Sequence, residues 1–391
     1  MSSPIRILHV ISGLDPRHGG PTTALAAMMR GQRDAGLHVE LVSTYCDWDN
    51  LDFVEQLRKE NFNVHLIGPA TRTLAWSRKI KPTLRELVPT FDVIHIHALW
   101  EEIQHRAARV AKQFRKPYLI TPHGMLDPWS LGQGGFKKKL YFMLRLRRDL
   151  NQAAAIHFTD DLERDLIAPL AVTAPSLVQR LNIDLDDFVP APAAGWLRET
   201  YSQIGERKIV LFMSRIHPKK GLDLLIPAFA QCEGKQGDDK HAVLVIAGPD
   251  RDDYRKVLDP MIAQHRITDR VIYTGMLVGK QRAAALADAT LFALPSYQEN
   301  FGVVVIEALS VGVPVILSDK VNIHRQISDN HLGAVVPTEI DALSRALSQW
   351  LGDDTLRQST SLRAKEFVAQ HYDRMTIVKR WCELYRTLIG R

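Results

Sequence analysis

A chain of 391 residues is longer than one ordinary hydrophobic core, so two domains are expected. Its apolar share of 46% and charged share of 24% are those of a soluble globular protein, and its net charge of +6 suits acidic partners without naming one. No run of about 18 unbroken apolar residues argues for a transmembrane helix. The start, Met1-Ser2-Ser3-Pro4-Ile5, lacks the basic and apolar regions of a signal peptide, so a cytoplasmic location is expected. Cys46, Cys232 and Cys382 are far apart and form no metal-ligand pair; free thiols are expected.

Residues 5–11 form an apolar run that reads as a buried first strand. A loop over 13–21 carries Gly19-Gly20, and 22–36 has helical spacing, so the chain opens with a βα unit. A Gly-Gly loop before a helix lets backbone approach a ligand, although a plain tight turn fits equally well. Further strands are expected at 39–44, 64–67, 93–96, 118–121, 154–158 and 176–180 with helices between them, the rhythm of a parallel sheet wrapped by helices.

His95 and His97 share one face of a strand, but no third ligand stands at a telling spacing. A structural or polar lining role is therefore preferred to a metal site. Asp-x-Asp triplets at Asp47-Trp48-Asp49, Asp184-Leu185-Asp186 and Asp250-Arg251-Asp252 arise easily in so charged a chain, and no metal is assigned to them. Pro122-His123-Gly124-Met125 ends a strand, where α/β sheets place ligands; a neutral His123 can both donate and accept hydrogen bonds there.

Residues 137–148, Lys-Lys-Lys-Leu-Tyr-Phe-Met-Leu-Arg-Leu-Arg-Arg, are the most basic stretch. They fit an amphipathic helix on an anionic membrane surface as well as an ordinary helix with solvated cations; no nucleic-acid motif accompanies them. The first sheet then ends near Leu181-Asn182-Ile183-Asp184, and residues 189–195, rich in Pro and Ala, read as a linker.

The second half restarts the βα rhythm. After a strand at 208–213, Arg215 and Lys220 flank a basic turn that enters a helix at 224–230, so both cations can converge beyond the strand end. Strands follow at 241–247 and 271–274, the second ending in Gly275-Met276-Leu277. A strand over 290–295 leads through Ser296-Tyr297-Gln298-Glu299-Asn300-Phe301-Gly302 into an apolar helix that Gly312 stops and Pro314 cannot continue. Strands at 313–318 and 333–337 and a last helix at 372–389 complete the chain. Amide groups at a helix mouth favour negative charge. Glu299 precedes that mouth and Glu307 lies roughly 8 Å along the axis, so two carboxylates can reach two parts of one ligand. Apolar neighbours around Glu307 make a solvated surface role a poor fit.

Glu299-x7-Glu307 with Phe301-Gly302, preceded by Ser214-Arg215-Ile216-x3-Lys220-Gly221, resembles the retaining glycosyltransferases of family GT4. Ser214 departs from that family's glycine. Asn182 also stands where a glycine is common, a substitution that suits a left-handed backbone. The resemblance implies an α/β chain of the GT-B fold, two Rossmann-like domains facing across a cleft: 1–188 for the acceptor, 189–371 for the nucleotide sugar, with 372–391 packing back on the first.

It further implies a sugar moved from a nucleoside-diphosphate-sugar to a hydroxyl acceptor with retained anomeric configuration, without a cofactor or a metal at the nucleotide. Glu299 and His123 are then catalytic. Arg215 and Lys220 take the diphosphate and Glu307 the ribose. The backbone of Asn300, Phe301, Gly302 and Val303 lies beside sugar and phosphate, Met276 marks the nucleobase site, and Gly19 and Gly20 line the cleft. The expected acceptor is a glycan or lipid-linked glycan of cell-surface polysaccharide, with residues 137–148 at the inner membrane face. A nucleotide-sugar epimerase or phosphorylase of the same fold, or a non-catalytic membrane-binding protein, are the alternatives.

Overall fold

The computed structural model describes residues 4–15, 20–133, 135–232, 242–250 and 252–390. The chain divides into two compact units, Met1–Ile183 with Arg374–Arg391, and Asp184–Asp373. The division falls ahead of the Pro- and Ala-rich stretch at 189–195, which leads into a short helix at Trp196–Thr200.

The first unit is built on a seven-stranded parallel sheet ordered β3-β2-β1-β4-β5-β6-β7. Its strands are β1 Arg6–Ser12, β2 His38–Thr44, β3 Asn63–Ile67, β4 Val93–His97, β5 Tyr118–Thr121, β6 Ala155–Phe158 and β7 Ser176–Val178. Helices cover the sheet, so β4, β5 and β6 are buried along their whole length. Ile94, Ile96, Ile103, Phe91 and Phe158 belong to the core on one side. The helix Arg374–Leu388 completes the unit, with Trp381 and Tyr385 fully buried.

The second unit carries a six-stranded parallel sheet ordered β10-β9-β8-β11-β12-β13. Here the strands are β8 Ile209–Met213, β9 Val243–Ala247, β10 Val271–Gly275, β11 Leu291–Leu294, β12 Val315–Ser318 and β13 Gly333–Val336. In each sheet the chain winds outward from one central strand and then jumps to its other side, at β1/β4 and at β8/β11. Loops diverge at such a switch point, and the carboxyl ends of the strands there form the natural ligand crevice of an open α/β sheet.

Several expectations change. Gly20 is the first residue of the helix Gly20–Asp34, not part of a loop; Pro21 suits the first turn because its ring pre-sets φ and the missing N–H would have no helical partner. Gly19 lies outside the described residues, as do His241 and Arg251. Asn182 is absent from the positive-φ positions; its amide instead donates to the carbonyl of Ala27 at 2.7 Å, and this cross-link accounts for a buried polar residue there. The basic stretch is a continuous helical run, Gly135–Tyr141, a π turn at Phe142–Leu146, then Arg147–Asn151. Leu146 and Leu150 face the core while Phe136, Met143 and Leu144 stay exposed.

Candidate active site

The turns after β8 and β11 dock on each other at the second switch point. Tyr297 N–H donates to the Lys219 carbonyl at 2.9 Å. Gly221, with φ +71°, lies so close that a Cβ would sit 2.0 Å from the Pro295 carbonyl oxygen. No L side chain fits that gap, and the contact carries Lys220 to the neighbouring strand end. Its ammonium forms an ion pair with the Glu299 carboxylate.

Glu299 is held by its backbone as well: its N–H donates to Lys320 O at 3.1 Å and its carbonyl accepts from Asn322 N–H at 3.0 Å. Burial alone would push the carboxyl upward, but Lys220, with Lys219 and Arg215 behind it, holds it below the usual range. The half-buried Arg215 makes no hydrogen bond or ion pair among the described residues, although its charge is felt by Glu299 and by His217.

Gly302, at φ +72°, caps the helix Val303–Ser310, whose first amides open beside Glu299. Asn300 Oδ1 accepts from Asn322 Nδ2 at 3.2 Å. The Phe301 side chain turns the other way, 3% exposed and edge-on to Tyr372, so only its backbone is available at this mouth. Glu307 is buried on the same helix and ion-paired to Arg282 of the helix Gly279–Asp288. Burial raises its carboxyl above the usual range against the pull of Arg282, with Asp184 adding to the rise. Met276 follows β10 at the same edge of the sheet and is 42% exposed.

Arg215, Lys220, Glu299, Asn300, Gly302 and Val303 thus gather around the β8/β11 switch point, Glu307 lies deeper, and Met276 stands two strands away, while His123 and Gly20 belong to the first unit. There His123 stands in the turn after β5 at φ +53°, and the turn is pinned by Glu163, which accepts the Gly124 N–H at 2.7 Å. Along the same carboxyl edge a cavity of about 390 Å³ is lined by Ser12, Thr44, Trp48, Asp49, Trp100 and Glu101, among others. Burial, reinforced by Asp49 and opposed by a hydrogen bond from Gln104, pushes the Glu101 carboxyl up to about 7.

Sequence reading missed Arg282, whose only signal was an arginine in an otherwise unremarked helix. It also missed the cavity residues, which carry no motif. His9 was missed for a clearer reason: β1 and β4 pair with His9 opposite His95, a register that no spacing along the chain reveals. With His9 present, the ligand atoms of His9, His95 and His97 lie within 4.8 Å of one another. The aspartate triplets form no such group among the described residues.

Two parallel Rossmann-like sheets of this order define the GT-B class of glycosyltransferase folds. In structure the chain is similar to the Anabaena Alr3699/HepE solved with UDP and glucose, with a TM-score of 0.80 over 98% of this chain and 100% of that one at 19% identity. Residues 19–180 match the glycosyl transferase 4-like domain and residues 197–367 match glycosyl transferases group 1. The chain belongs to the GT4 family of glycosyltransferases.

Curated relatives include a GDP-mannose-dependent alpha-(1-6)-phosphatidylinositol monomannoside mannosyltransferase of Mycobacterium tuberculosis, 26% identical over 97% of this chain and 98% of that protein. The Mycolicibacterium smegmatis enzyme of the same name is 28% identical over 61% of this chain, and the match spans 64% of that enzyme's length.

Proposed function

We propose that this glycosyltransferase moves a sugar from a nucleoside-diphosphate-sugar to a hydroxyl acceptor with retention, the second unit holding the donor and the first the acceptor. The observation that carries the reading is the convergence of Arg215, Lys220, Glu299 and the Gly302 helix mouth at one switch point. Among the described residues Arg215 has no hydrogen-bond or ion-pair partner, which suits a guanidinium kept for phosphate oxygens. Lys220 is shared: an arriving diphosphate draws its ammonium while Glu299 turns toward the sugar hydroxyls. The amides of Asn300 to Val303 and these cations then stabilise the charge that gathers on the departing nucleoside diphosphate. With fixed cations doing this, the scheme needs no metal at the nucleotide. The leaving phosphate oxygen takes the acceptor proton on the same face, and Glu299 supports the positive charge developing on the sugar.

Glu307 receives the ribose, Arg282 sharing its carboxylate. Met276 borders the base. His123, in the first unit, addresses the sugar, and Gly20 lies on the acceptor side. The cavity beside Glu101 and Trp100 suits a hydroxylated acceptor, and a glycan or lipid-linked glycan fits the relatives' substrates. A peripheral stance on anionic membrane is supported by Phe136 and Leu144, 77% and 70% exposed, beside exposed Lys137, Lys139, Arg147 and Arg148. No helix among the described residues is long and apolar enough to cross a membrane.

A thermal-shift screen of UDP-, GDP- and ADP-sugars tests the donor. A true donor at about 100 times its Kd stabilises by about 2.7 kcal/mol and should raise Tm by several degrees. NMR of the transferred sugar should show the donor's anomeric configuration. No shift with any donor, or an inverted product, contradicts the proposal.

A further inference from the structure

The first unit carries a row of buried polar side chains that the chemistry above leaves unused. His9 on β1, His95 and His97 on β4, Thr121 on β5 and His157 on β6 are all buried in one sheet. Gln32 and Tyr385 reach them from the helices Gly20–Asp34 and Arg374–Leu388. Contiguous hydrogen bonds join them, and the chain can be followed from one end.

The start is a backbone carbonyl, which only accepts. His157 Nε2 lies 2.7 Å from Gln179 O, so Nε2 carries the proton. Neutral His157 must then accept at Nδ1, from the Thr121 hydroxyl at 2.9 Å. Having given its one proton, Thr121 accepts from His95 Nε2–H at 2.8 Å. His95 Nδ1 accepts from the Tyr385 hydroxyl at 2.9 Å, and Tyr385 accepts from Gln32 Nε2 at 3.0 Å. Gln32 Oε1 accepts from His9 Nε2–H at 2.8 Å, and His9 Nδ1 accepts from His97 Nε2–H at 2.9 Å. Finally His97 Nδ1 accepts from His123 Nε2–H at 3.2 Å. Each step leaves one choice for the next, and the choice ends on Nδ1 of His123, a half-buried residue whose Nδ1 has no partner among the described residues.

The rings are neutral because burial disfavours the imidazolium: His9 and His157 are lowered to about 4, His123 to about 3, and His95 and His97 lie well below their ordinary value. A metal ion on His9, His95 and His97 is the competing reading. Every ring nitrogen of these residues is already committed to a hydrogen bond, and an ion would have to break several of them, which favours the chain.

We propose that this chain of hydrogen bonds is a one-way relay that locks His123 in the Nε2–H tautomer, so that His123 meets a ligand hydroxyl through Nδ1 as an acceptor only. Tyr385, Gln32, His9 and His97 are then positioning residues, acting on the ligand through His123. The consequence for the site rests on the reading of His123 as a group that faces substrate; the tautomer itself does not. A fixed acceptor favours a hydroxyl donor and disfavours an oxygen that can only accept, such as a phosphate oxygen. The relay thus assigns His123 to a sugar hydroxyl and leaves the diphosphate to the second unit.

Two-bond proton–nitrogen NMR on the labelled full-length chain reports which ring nitrogen is protonated. In the wild type His9, His95, His97, His123 and His157 should all show Nε2–H. Tyr385→Phe removes one hydroxyl and frees Gln32 to turn its amide over. His123 should then become a mixture of tautomers while His157, fixed by the Gln179 carbonyl, stays Nε2–H, and donor turnover should fall about tenfold, the worth of one hydrogen bond. Thr121→Val cuts the relay elsewhere and should loosen the His123 tautomer in the same way, which covers a failure of Tyr385→Phe to fold.

Nδ1–H on wild-type His123, or an unchanged His123 tautomer in both folded variants, overturns the relay. If the tautomers behave as stated but His123→Ala transfers sugar at the wild-type rate, the relay is upheld and the substrate-facing reading of His123 is what fails.

Discussion

The two sheets share a winding plan and a switch point, yet the polar networks they carry differ in chemistry. The second unit uses charge: Lys220 against Glu299, Arg282 against Glu307, and Arg215 without a partner among the described residues. In the first, His9, His95, His97 and His157 are neutral and linked by hydrogen bonds into Gln32, Thr121 and Tyr385. Charge suits a site that must hold a diphosphate and absorb the charge it gains on leaving. Neutral, directed hydrogen bonds suit a site that must orient hydroxyls without attracting the anion. On the proposed reading one fold element serves two tasks because its polar residues differ, not its backbone.

The largest expected break of this contrast is Glu299→Gln. It keeps shape and removes charge, and donor turnover should fall by about 10²–10³. Chemical denaturation should show a smaller loss, on the order of 1–3 kcal/mol, because Lys220 loses its ion pair but keeps an amide oxygen. Near-normal turnover would remove Glu299 from the mechanism.

Acid should separate the units next. His9 and His157, lowered from 6.5 to about 4, refuse protons that the unfolded chain accepts. Their contribution is therefore present above pH 6.5 and is lost as pH falls toward 4, each on the order of a few kcal/mol. Glu299, held below 4.5, contributes in the same direction only as pH falls below 4.5. Hydrogen exchange should show β1 and β4 losing protection at higher pH than β8 and β11. The reverse order would contradict the assignment of neutral, buried histidines.

A subtler contrast lies within the second unit. Lys220→Ala strands the Glu299 carboxylate and should cost about 3–5 kcal/mol in chemical denaturation, whereas Arg215→Ala should cost under about 0.5 kcal/mol. Equal costs would mean that Arg215 has a structural partner after all.

Much of the second unit was legible because its signals are local. Gly302 before an apolar helix, Gly312 after it and Glu299 with Glu307 around it can all be read along one segment. Arg215 and Lys220 belong to one turn. The pairing of Lys220 with Glu299 was not legible, since it depends on β8 lying beside β11, which strand order alone decides. The first unit's site was less legible for the same reason carried further. Its relay draws one or two residues from each of four strands and two helices, as far apart in sequence as His95 and Tyr385. Only the pair His95 and His97 left a trace, and a pair read alone suggested neither His9 nor Tyr385. Gly20 shows the limit of local signals too: a Gly-Gly pair reads as a loop unless Pro21 is given its weight as a helix starter.

The most direct test of the central claim, that the β8/β11 switch point receives a nucleoside diphosphate, is calorimetric titration of UDP and GDP into the full chain and into Arg215→Ala. The account predicts that at least one of them binds the wild type and that Arg215→Ala weakens Kd about tenfold or more without lowering Tm. Binding of neither diphosphate, or equal binding by the variant, would contradict it.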